Sequence, residues 1–230
     1  MGEMIEFPSN GTTGHGYLAT PASGSGSGPG VVVIQEWWGL VPHIMEVCDR
    51  FAAEGFVALA PDLYAGKEAA LGEPDEAGKL MMAMELGRAG KDMSGAVDEV
   101  ARRASGPGVG VVGFCMGGGL ALVLACQRPD KVTACVPFYG IIPWPDAQPD
   151  YSAMRAAVLA HIAEKDGWFG PDAAAELEAK LRSLGKQTEF HVYPGADHAF
   201  FNDHRPEVYD AAAAAQAWER TVAFFHAQLG

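Results

Sequence analysis

The residues of this chain with the clearest chemical potential lie at positions 113–117, where the sequence reads Gly-Phe-Cys-Met-Gly. An apolar run at 109–112 precedes them, and a helix-prone run at 120–125 follows. This order predicts a strand, a sharp turn and a helix, an arrangement called a nucleophile elbow, with Cys115 at its centre. The two glycines let the strand and the helix approach closely, and the positive end of the helix favours a thiolate. The alternative is a buried cysteine that only happens to precede a glycine-rich helix.

A nucleophilic thiol needs a base, and the base needs a neighbour that orients it. His198 follows a predicted strand at 188–193, and Asp166 follows a predicted strand at 157–162. This order of nucleophile, acid and histidine along the chain is that of the α/β-hydrolases. We therefore assign Cys115 as the nucleophile, His198 as the general base and later the acid, and Asp166 as the residue that holds the imidazole tautomer.

Each of these two partners has an alternative interpretation. Taken singly, His198 reads as a surface-loop histidine and Asp166 as a loop cap, and it is their joint occurrence after successive late strands that favours catalysis. Asp197 competes with Asp166 for the role of the acid. Because Asp197 adjoins His198 in the sequence, we expect its side chain to point elsewhere.

Acyl transfer also needs N–H donors aimed at the negative charge that develops on the carbonyl oxygen. The candidates are the backbone N–H groups of Met116, in the elbow, and of Trp37, after a predicted strand at 31–34. Glu36 stands beside Trp37 in an apolar, aromatic stretch, where a carboxylate costs free energy unless it has a partner. An ion pair or a helix cap is the alternative interpretation of Glu36.

The elements that must position these groups alternate along the chain. Two short strands at 4–7 and 16–19 predict an N-terminal antiparallel hairpin, and the Gly- and Ser-rich residues 21–30 predict a flexible surface loop. Further strands are predicted at 31–34, 56–60, 109–112, 134–138, 157–162 and 188–193, and helices at 42–53, 73–87, 91–104, 120–125, 171–184 and 206–229. This alternation predicts an α/β fold, a mostly parallel sheet with helices on both faces. The strand-to-helix loops then meet at one edge of the sheet, where ligands bind.

The composition restricts the partners. A formal net charge of −13 argues against a nucleic-acid groove, which needs a basic stripe, and against anionic membranes. No apolar run approaches the ~18 residues of a membrane span. No His-x-x-x-His or clustered Cys/His spacing appears, so we expect no metal and no cofactor. The expected assembly is a monomer or a small homo-oligomer.

The compartment is predicted from the N-terminus and the cysteines. The first six residues are acidic and lack the apolar core of a signal peptide. The four cysteines, Cys48, Cys115, Cys126 and Cys135, contain no C-x-x-C pair and are expected as free thiols in a reducing environment. We therefore expect a cytoplasmic protein.

Six parts of the sequence resemble the dienelactone hydrolase family of α/β-hydrolases. They are residues 35–39, 61–64, 113–118, 138–140, Asp166 and residues 197–200. They extend over nearly the whole chain. The resemblance implies a single α/β-hydrolase domain over residues 1–230 that cleaves a small-molecule lactone or activated ester through a thioester on Cys115. A substrate of the dienelactone type, 4-carboxymethylenebut-2-en-4-olide hydrolysed to maleylacetate, is one possibility.

The resemblance also implies a role for Glu36. In that family a glutamate at this position hydrogen-bonds the resting, neutral thiol, is displaced by substrate, and then takes the thiol proton. A thiol gated in this way is less exposed to oxidation than a permanent thiolate.

The sequence departs from the family in the cations that hold the substrate carboxylate. Two arginines do this in the family, whereas residues 65–87 contain Lys67 and Lys79 but no arginine, and after His198 the next arginine is Arg205. Arg205 either reaches the site or forms a surface salt bridge. Aromatic residues are expected to wall the pocket and suggest a less polar ester: Trp37, Trp38, Tyr64, Phe114, Tyr139, Trp168, Phe200 and Phe201.

Two other classes of protein remain open from the sequence. A cysteine redox sensor or glyoxalase of the DJ-1 type also places a cysteine on a strand-helix turn near a glutamate, but it would not need Asp166 and His198. A binding module without catalysis on a hydrolase scaffold is the other, because fold alone never proves function.

Overall fold

Strands and helices alternate along the parts of the chain that the computed structural model describes, residues 2–22, 28–142 and 148–230. In chain order the elements are β1 (Glu3–Ser9), β2 (Thr12–Ala19), β3 (Gly30–Ile34), α1 (Pro42–Ala53), β4 (Val57–Pro61), α2 (Pro74–Ala83), α3 (Leu86–Arg103), β5 (Val109–Phe114), α4 (Met116–Gln127), β6 (Val132–Phe138), β7 (Ala157–Ala163), α5 (Pro171–Ser183), β8 (Thr188–Tyr193) and α6 (Ala211–Leu229).

The strands form one sheet in the order β1-β2-β4-β3-β5-β6-β7-β8. β1 and β2 are antiparallel, β2 is antiparallel to β4, and the remaining neighbours are parallel. The hairpin turns at Asn10 and Gly11, both with positive φ (43° and 94°), as a two-residue turn between twisted strands requires. The predicted α/β fold, a mostly parallel sheet with an N-terminal antiparallel hairpin, is confirmed.

Two apolar layers lie on the two faces of the sheet. Val31 and Val33 of β3 belong to the layer covered by α1 and α6, and Val32 and Ile34 to the layer covered by α3, α4 and α5. β3, β4 and β5 are buried throughout, which explains why their sequences are continuously apolar rather than alternating. These rigid central strands end at the edge where the candidate catalytic residues lie.

Four predicted helices have clearly different bounds in the structure: the one predicted at 91–104 begins at Leu86, the one at 120–125 spans Met116–Gln127, and the other two differ for identifiable reasons. The helix predicted at 73–87 is divided, because Met84 (ψ 123°) and Glu85 (ψ 103°) are extended and separate α2 from α3. The helix predicted from 206 begins only at Ala211, where the Asp210 carboxylate accepts the N–H groups of Ala212 and Ala213, both at 3.0 Å.

Two further sequence predictions concern the N-terminal loop and the membrane. Residues 23–27, half of the loop predicted at 21–30, lie outside the described residues. Over the described ranges, no helix is both long enough and apolar enough to span a bilayer.

Candidate active site

The elbow is a strained turn between β5 and α4. Cys115 has φ 55° and ψ −119°, a conformation that a non-glycine residue adopts only where its surroundings impose it. The surroundings here are backbone: a Cβ on Gly113 would overlap the carbonyl of Gly117, and a Cβ on Gly117 would overlap the carbonyls of Ile34 and Gln35. The two glycines of the motif thus let α4 pack directly on the ends of β5 and β3. The turn presents Cys115, which is partly exposed, to the cavity.

His198 and Asp166 come together on the neighbouring loops after β8 and β7. His198 Nδ1 lies 2.7 Å from Asp166 Oδ2. The other oxygen of Asp166 accepts the backbone N–H groups of Trp168 (2.8 Å) and Phe169 (3.1 Å), which fixes a buried carboxylate in place. His198 also interacts electrostatically with the side chain of Cys115, and both residues line the cavity. The structure thus places Asp166, His198 and Cys115 next to one another in that order.

The charges of Asp166 and His198 reinforce one another. Burial lowers the pKa of His198, but the hydrogen bond to Asp166 and the interaction with the Cys115 side chain outweigh it and raise that pKa to about 10. Burial raises the pKa of Asp166, yet the hydrogen bond from His198 and the two backbone N–H groups hold it below its usual value.

Glu36 is buried at the cavity wall, with 1% of its surface exposed. Its Oε2 accepts a hydrogen bond from Asn202 Nδ2 at 2.7 Å, while Oε1 has no hydrogen-bond partner among the described residues. The resemblance implied a hydrogen bond between Glu36 and the resting thiol, and the structure differs: the Asn202 amide holds Glu36. Sequence reasoning missed Asn202, whose one signal is its position four residues after His198.

The two candidate oxyanion donors both border the cavity. Met116 is the first residue of α4, so its N–H has no acceptor within the helix. The N–H of Trp37 is not engaged by any hydrogen-bond acceptor in the described parts of the chain. The turn that presents it is closed by a hydrogen bond from Gly39 N to Glu36 O at 3.3 Å.

The cavity above Cys115 has a volume of about 310 Å³. Its lining residues are Glu36, Trp37, Trp38, Met81, Cys115, Met116, Tyr139, Gly140, Ile141, Trp168, Phe169, His198, Ala199 and Arg205. Apolar and aromatic side chains dominate, as in most small-molecule sites. Four predicted wall residues, Trp37, Trp38, Tyr139 and Trp168, lie there, and Met81, Ile141 and Phe169 were missed. The hydroxyl of Tyr139 is buried without a hydrogen-bond partner among the described residues.

The other four predicted wall residues do not line the cavity. Phe114 lies in the apolar layer covered by α1 and α6. There it stacks on Phe201, with 5.3 Å between the ring centroids. Phe200 packs on Tyr193 at 4.9 Å in the same layer. Tyr64 lies in the apolar layer covered by α3, α4 and α5, and its hydroxyl is 3.5 Å from Met116 Sδ. Aromatic type alone does not show which way a side chain points.

Arg205 satisfies both interpretations that the sequence left open. It lines the cavity, and its guanidinium carbon lies 5.7 Å from the centroid of the Trp38 ring. Its Nε also donates a hydrogen bond of 2.9 Å to Glu207. Lys67 and Lys79, the cations of the segment in which the family has an arginine, do not line this cavity.

A cysteine elbow after β5, with an acid and a histidine on the loops after β7 and β8, has the architecture of an α/β-hydrolase. The chain belongs to the dienelactone hydrolase family, whose sequence profile matches residues 15–229. It is a carboxylic ester hydrolase, and this membership gives no support to the redox-sensor, glyoxalase or non-catalytic alternatives.

Relatives resemble this chain over their full length. A protein of Aquifex pyrophilus named Protein usf is 44% identical over 238 residues, with 100% of both chains covered. A protein of Aquifex aeolicus (strain VF5), provisionally named a carboxymethylenebutenolidase, is 38% identical over 237 residues, again with 100% of both covered. A solved structure from Klebsiella pneumoniae subsp. pneumoniae MGH 78578, provisionally named a dienelactone hydrolase, has a TM-score of 0.86 at 28% identity and covers 98% of each chain.

Proposed function

We propose that this enzyme hydrolyses a lactone or an activated ester through a thioester intermediate on Cys115. The observation that carries the proposal is the hydrogen bond between Asp166 and His198 beside Cys115, with His198 and Cys115 lining one cavity. Asp166 holds the imidazole in one orientation, and His198 holds the proton that the thiol gives up.

In the first half of the proposed reaction, the thiolate of Cys115 attacks the carbonyl carbon. The N–H groups of Met116 and Trp37 stabilise the negative charge on the carbonyl oxygen. The carbon–oxygen bond to the leaving group then breaks, and the His198 imidazolium gives its proton to the leaving oxygen. In a lactone the leaving oxygen stays attached to the acyl chain.

In the second half, neutral His198 takes a proton from water, and the resulting hydroxide attacks the thioester carbon. The carbon–sulfur bond breaks, the carboxylic acid is released as its anion, and the thiolate–imidazolium pair is restored. Amides are expected to be poor substrates, because a thiolate leaves the tetrahedral intermediate more readily than an amine does. Efficient casein cleavage would contradict this mechanism.

We propose that Glu36 has two positions. In one it is held by Asn202, as in the structure, and in the other it accepts a hydrogen bond from the neutral thiol of Cys115. The unpartnered Oε1 supports this, because a buried carboxylate oxygen without a hydrogen bond gains free energy by turning toward a donor. The test is iodoacetamide labelling across pH for wild type and Glu36→Gln, with and without a substrate analogue. Labelling that responds to neither the analogue nor the substitution would count against gating.

The proposed substrate is an enol lactone or a less polar activated ester. The name of the Aquifex aeolicus relative refers to a lactone that carries a carboxylate, and Arg205 is the cavity residue here with a permanent positive charge. The aromatic walls favour instead a substrate with little charge. In either case an enolate or activated alkoxide is a leaving group that a thiolate can displace.

The deciding experiment is steady-state hydrolysis of dienelactone and of p-nitrophenyl acetate by wild type, Cys115→Ser and Cys115→Ala. We expect hydrolysis of at least one substrate by wild type and loss of it in Cys115→Ala. Turnover of dienelactone would assign the carboxylate to Arg205, and turnover of the neutral ester alone would keep the mechanism with another substrate. Hydrolysis of both by Cys115→Ala at the wild-type rate would overturn the thioester mechanism.

The cellular setting follows from the same chemistry. The four cysteines are free, and a nucleophilic thiol must stay reduced, so we propose the cytoplasm as its compartment. The proposed partner is the small-molecule substrate alone, with no nucleic acid, and the proposed state is a single domain, as a monomer or small homo-oligomer.

A further inference from the structure

A second cluster of ligand-type side chains lies outside the cavity, between α1 and the segment that follows His198. His43 Nδ1 lies 3.1 Å from Asp203 Oδ1, and His204 Nε2 lies 2.9 Å from Glu46 Oε2. One ligand atom each from His43, Asp203 and His204 lies within 4.8 Å of the other two. None of the four residues lines the hydrolytic cavity, so the cluster is a separate site.

Both sides of the cluster are held in position. His43 and Glu46 are three residues apart on α1 and therefore lie on the same face of the helix. The His43 ring is 1% exposed, fixed by contacts with the aromatic core. On the other side, His204 N donates to Asn202 Oδ1 at 3.1 Å, and the Asn202 amide is anchored on Glu36. The ligand atoms are thus brought together before any ion binds.

The donor set and its spacing suit one class of ion. In a tetrahedral zinc site with bonds of 2.0–2.1 Å, neighbouring ligand atoms lie about 3.3 Å apart. The His43 Nδ1–Asp203 Oδ1 pair, at 3.1 Å, already approaches that separation, and His204 completes a trio whose ligand atoms lie within 4.8 Å of one another. Two imidazoles with one carboxylate favour Zn²⁺ and its first-row neighbours over Ca²⁺ and Mg²⁺, which prefer oxygen ligands alone. The net charge of −13 further attracts cations.

Arg50 is the positive charge beside the cluster. It interacts electrostatically with Asp203 and Glu46. Its guanidinium carbon, however, lies over the rings of Trp218 (4.3 Å to the centroid) and Phe201 (4.9 Å), and in the described parts of the chain it donates no hydrogen bond to either carboxylate. The carboxylate oxygens that pair with the histidines therefore have no competing hydrogen bond from Arg50.

We propose that His43, Asp203 and His204 bind a divalent first-row transition-metal ion, with Zn²⁺ as the first to test and Glu46 holding the His204 ring in position. The ion would tie the segment after His198 to α1 and so stabilise the loop that carries His198, Asn202 and Arg205. Its role is structural, because the cluster does not reach the cavity. No metal was expected from the sequence, because these ligands come from distant segments and form no recognised motif.

The test is titration of chelator-treated protein with ZnCl₂ by isothermal calorimetry, in the Cys115→Ser variant so that the catalytic thiol does not compete for the ion. We expect one saturable site per chain. His204→Ala and Asp203→Ala, both changes of side chains that are not fully buried, are expected to weaken binding at least tenfold. His191→Ala is the matched control, because His191 also pairs with a glutamate, Glu189 at 2.6 Å, outside the cluster.

Thermal unfolding supplies a second measurement. Zn²⁺ is expected to raise the Tm of Cys115→Ser, and to have little effect on the Tm of Cys115→Ser/His204→Ala. Circular dichroism of each variant without metal checks that it is folded, and Asp203→Asn replaces any variant that is not. The proposal would be overturned if Cys115→Ser showed no saturable binding. It would also be overturned if His204→Ala and Asp203→Ala left binding unchanged while His191→Ala weakened it.

Discussion

The elbow that carries Cys115 and the loop that carries His198, residues 194–210, meet at one cavity but are held in place by different interactions. The two glycines of the elbow are buried, and backbone carbonyls occupy the space that a Cβ on either of them would need. The loop is partly exposed and is fixed by side-chain hydrogen bonds to Asp166, Glu36 and His43. The shape of the elbow thus depends on glycines that lack side chains, whereas the position of the loop depends on hydrogen bonds made by its side chains.

This difference determines how each region responds to substitution. The elbow allows no added atoms, because its neighbours are the backbones of strands that cannot move apart. The loop tolerates added atoms at its exposed positions, but removing a partner leaves a buried polar group unsatisfied. We therefore expect substitutions in the elbow to affect folding first, and substitutions in the loop to affect catalysis and pKa values first.

The largest expected effect is that of Gly117→Ala. The added Cβ would overlap the carbonyl oxygens of Ile34 and Gln35, both backbone atoms, so α4 could not keep its place against β3. We expect the free energy of unfolding to fall by more than about 3 kcal/mol, measured by urea denaturation.

The matched control for that prediction is Gly78→Ala in α2. The same methyl group there meets no atom within 4 Å, and alanine favours a helix over glycine by about 0.5–1 kcal/mol. Gly78→Ala is therefore expected to leave stability unchanged or to raise it. Equal destabilisation by the two substitutions would show that close backbone packing is not what defines the elbow.

The elbow was also the part of the site that the sequence predicted best. Its strand, glycine spacing and helix are all encoded within residues 109–125, so local pattern was sufficient to place Cys115 on the turn. The loops that carry Asp166 and His198 could be placed at the same sheet edge because they follow parallel strands. The catalytic role of these residues remains a prediction that kinetics must test.

The next largest effect is expected for Asp166→Asn. An amide in place of the carboxylate no longer fixes the imidazole tautomer, and loss of this interaction lowers kcat by about 10³ to 10⁴-fold in comparable triads. Folding should be affected much less, because the asparagine oxygen can still accept the N–H groups of Trp168 and Phe169. A variant with more than a tenth of wild-type kcat on the substrate found above would contradict the role of Asp166.

The same variant tests the pH dependence of stability. Because the folded-state pKa of His198, about 10, lies above its unfolded value of about 6.5, the folded state binds the extra proton between these limits. This contribution to stability is complete below about pH 6.5 and is lost as the pH rises toward 10. Urea denaturation at a series of pH values should show this decline in wild type and a weaker decline in Asp166→Asn. Equal slopes of the free energy of unfolding against pH in the two proteins would contradict this prediction.

A smaller effect is expected for Asn202→Ala. Removing the amide leaves the buried Glu36 carboxylate without its hydrogen bond, which should cost about 1–3 kcal/mol of stability. Glu36 is then free to turn toward Cys115, so iodoacetamide labelling of the thiol should slow. A double-mutant cycle with Glu36→Gln is the control, and a coupling energy of at least about 0.5 kcal/mol is expected because the two side chains touch. Additive effects would show that Asn202 does not position Glu36.

Asn202 also illustrates what the sequence could not predict. Its partner, Glu36, is 166 residues away, and no local pattern relates the two. The cluster of His43 and Asp203 is equally non-local, at a separation of 160 residues. The directions of Phe114, Phe200 and Phe201 were wrong for a related reason: whether an aromatic side chain faces a cavity or the core depends on which helices cover that face of the sheet.

The smallest effect, and the one that defines the substrate, is expected for Arg205→Ala. Arg205 is the cation that the loop contributes to the cavity, but its hydrogen bond to Glu207 already satisfies part of the guanidinium and moderates its attraction for a ligand. We expect KM for a lactone with a carboxylate to rise about tenfold, equivalent to about 1.4 kcal/mol, with kcat and the hydrolysis of p-nitrophenyl acetate nearly unchanged. Arg205→Lys keeps the charge and should restore part of the loss, whereas Glu207→Gln should lower KM by releasing the guanidinium. An equal rise in KM for charged and neutral substrates would show instead that Arg205 only packs on Trp38, and that the loop contributes its base to the reaction but no charge selectivity.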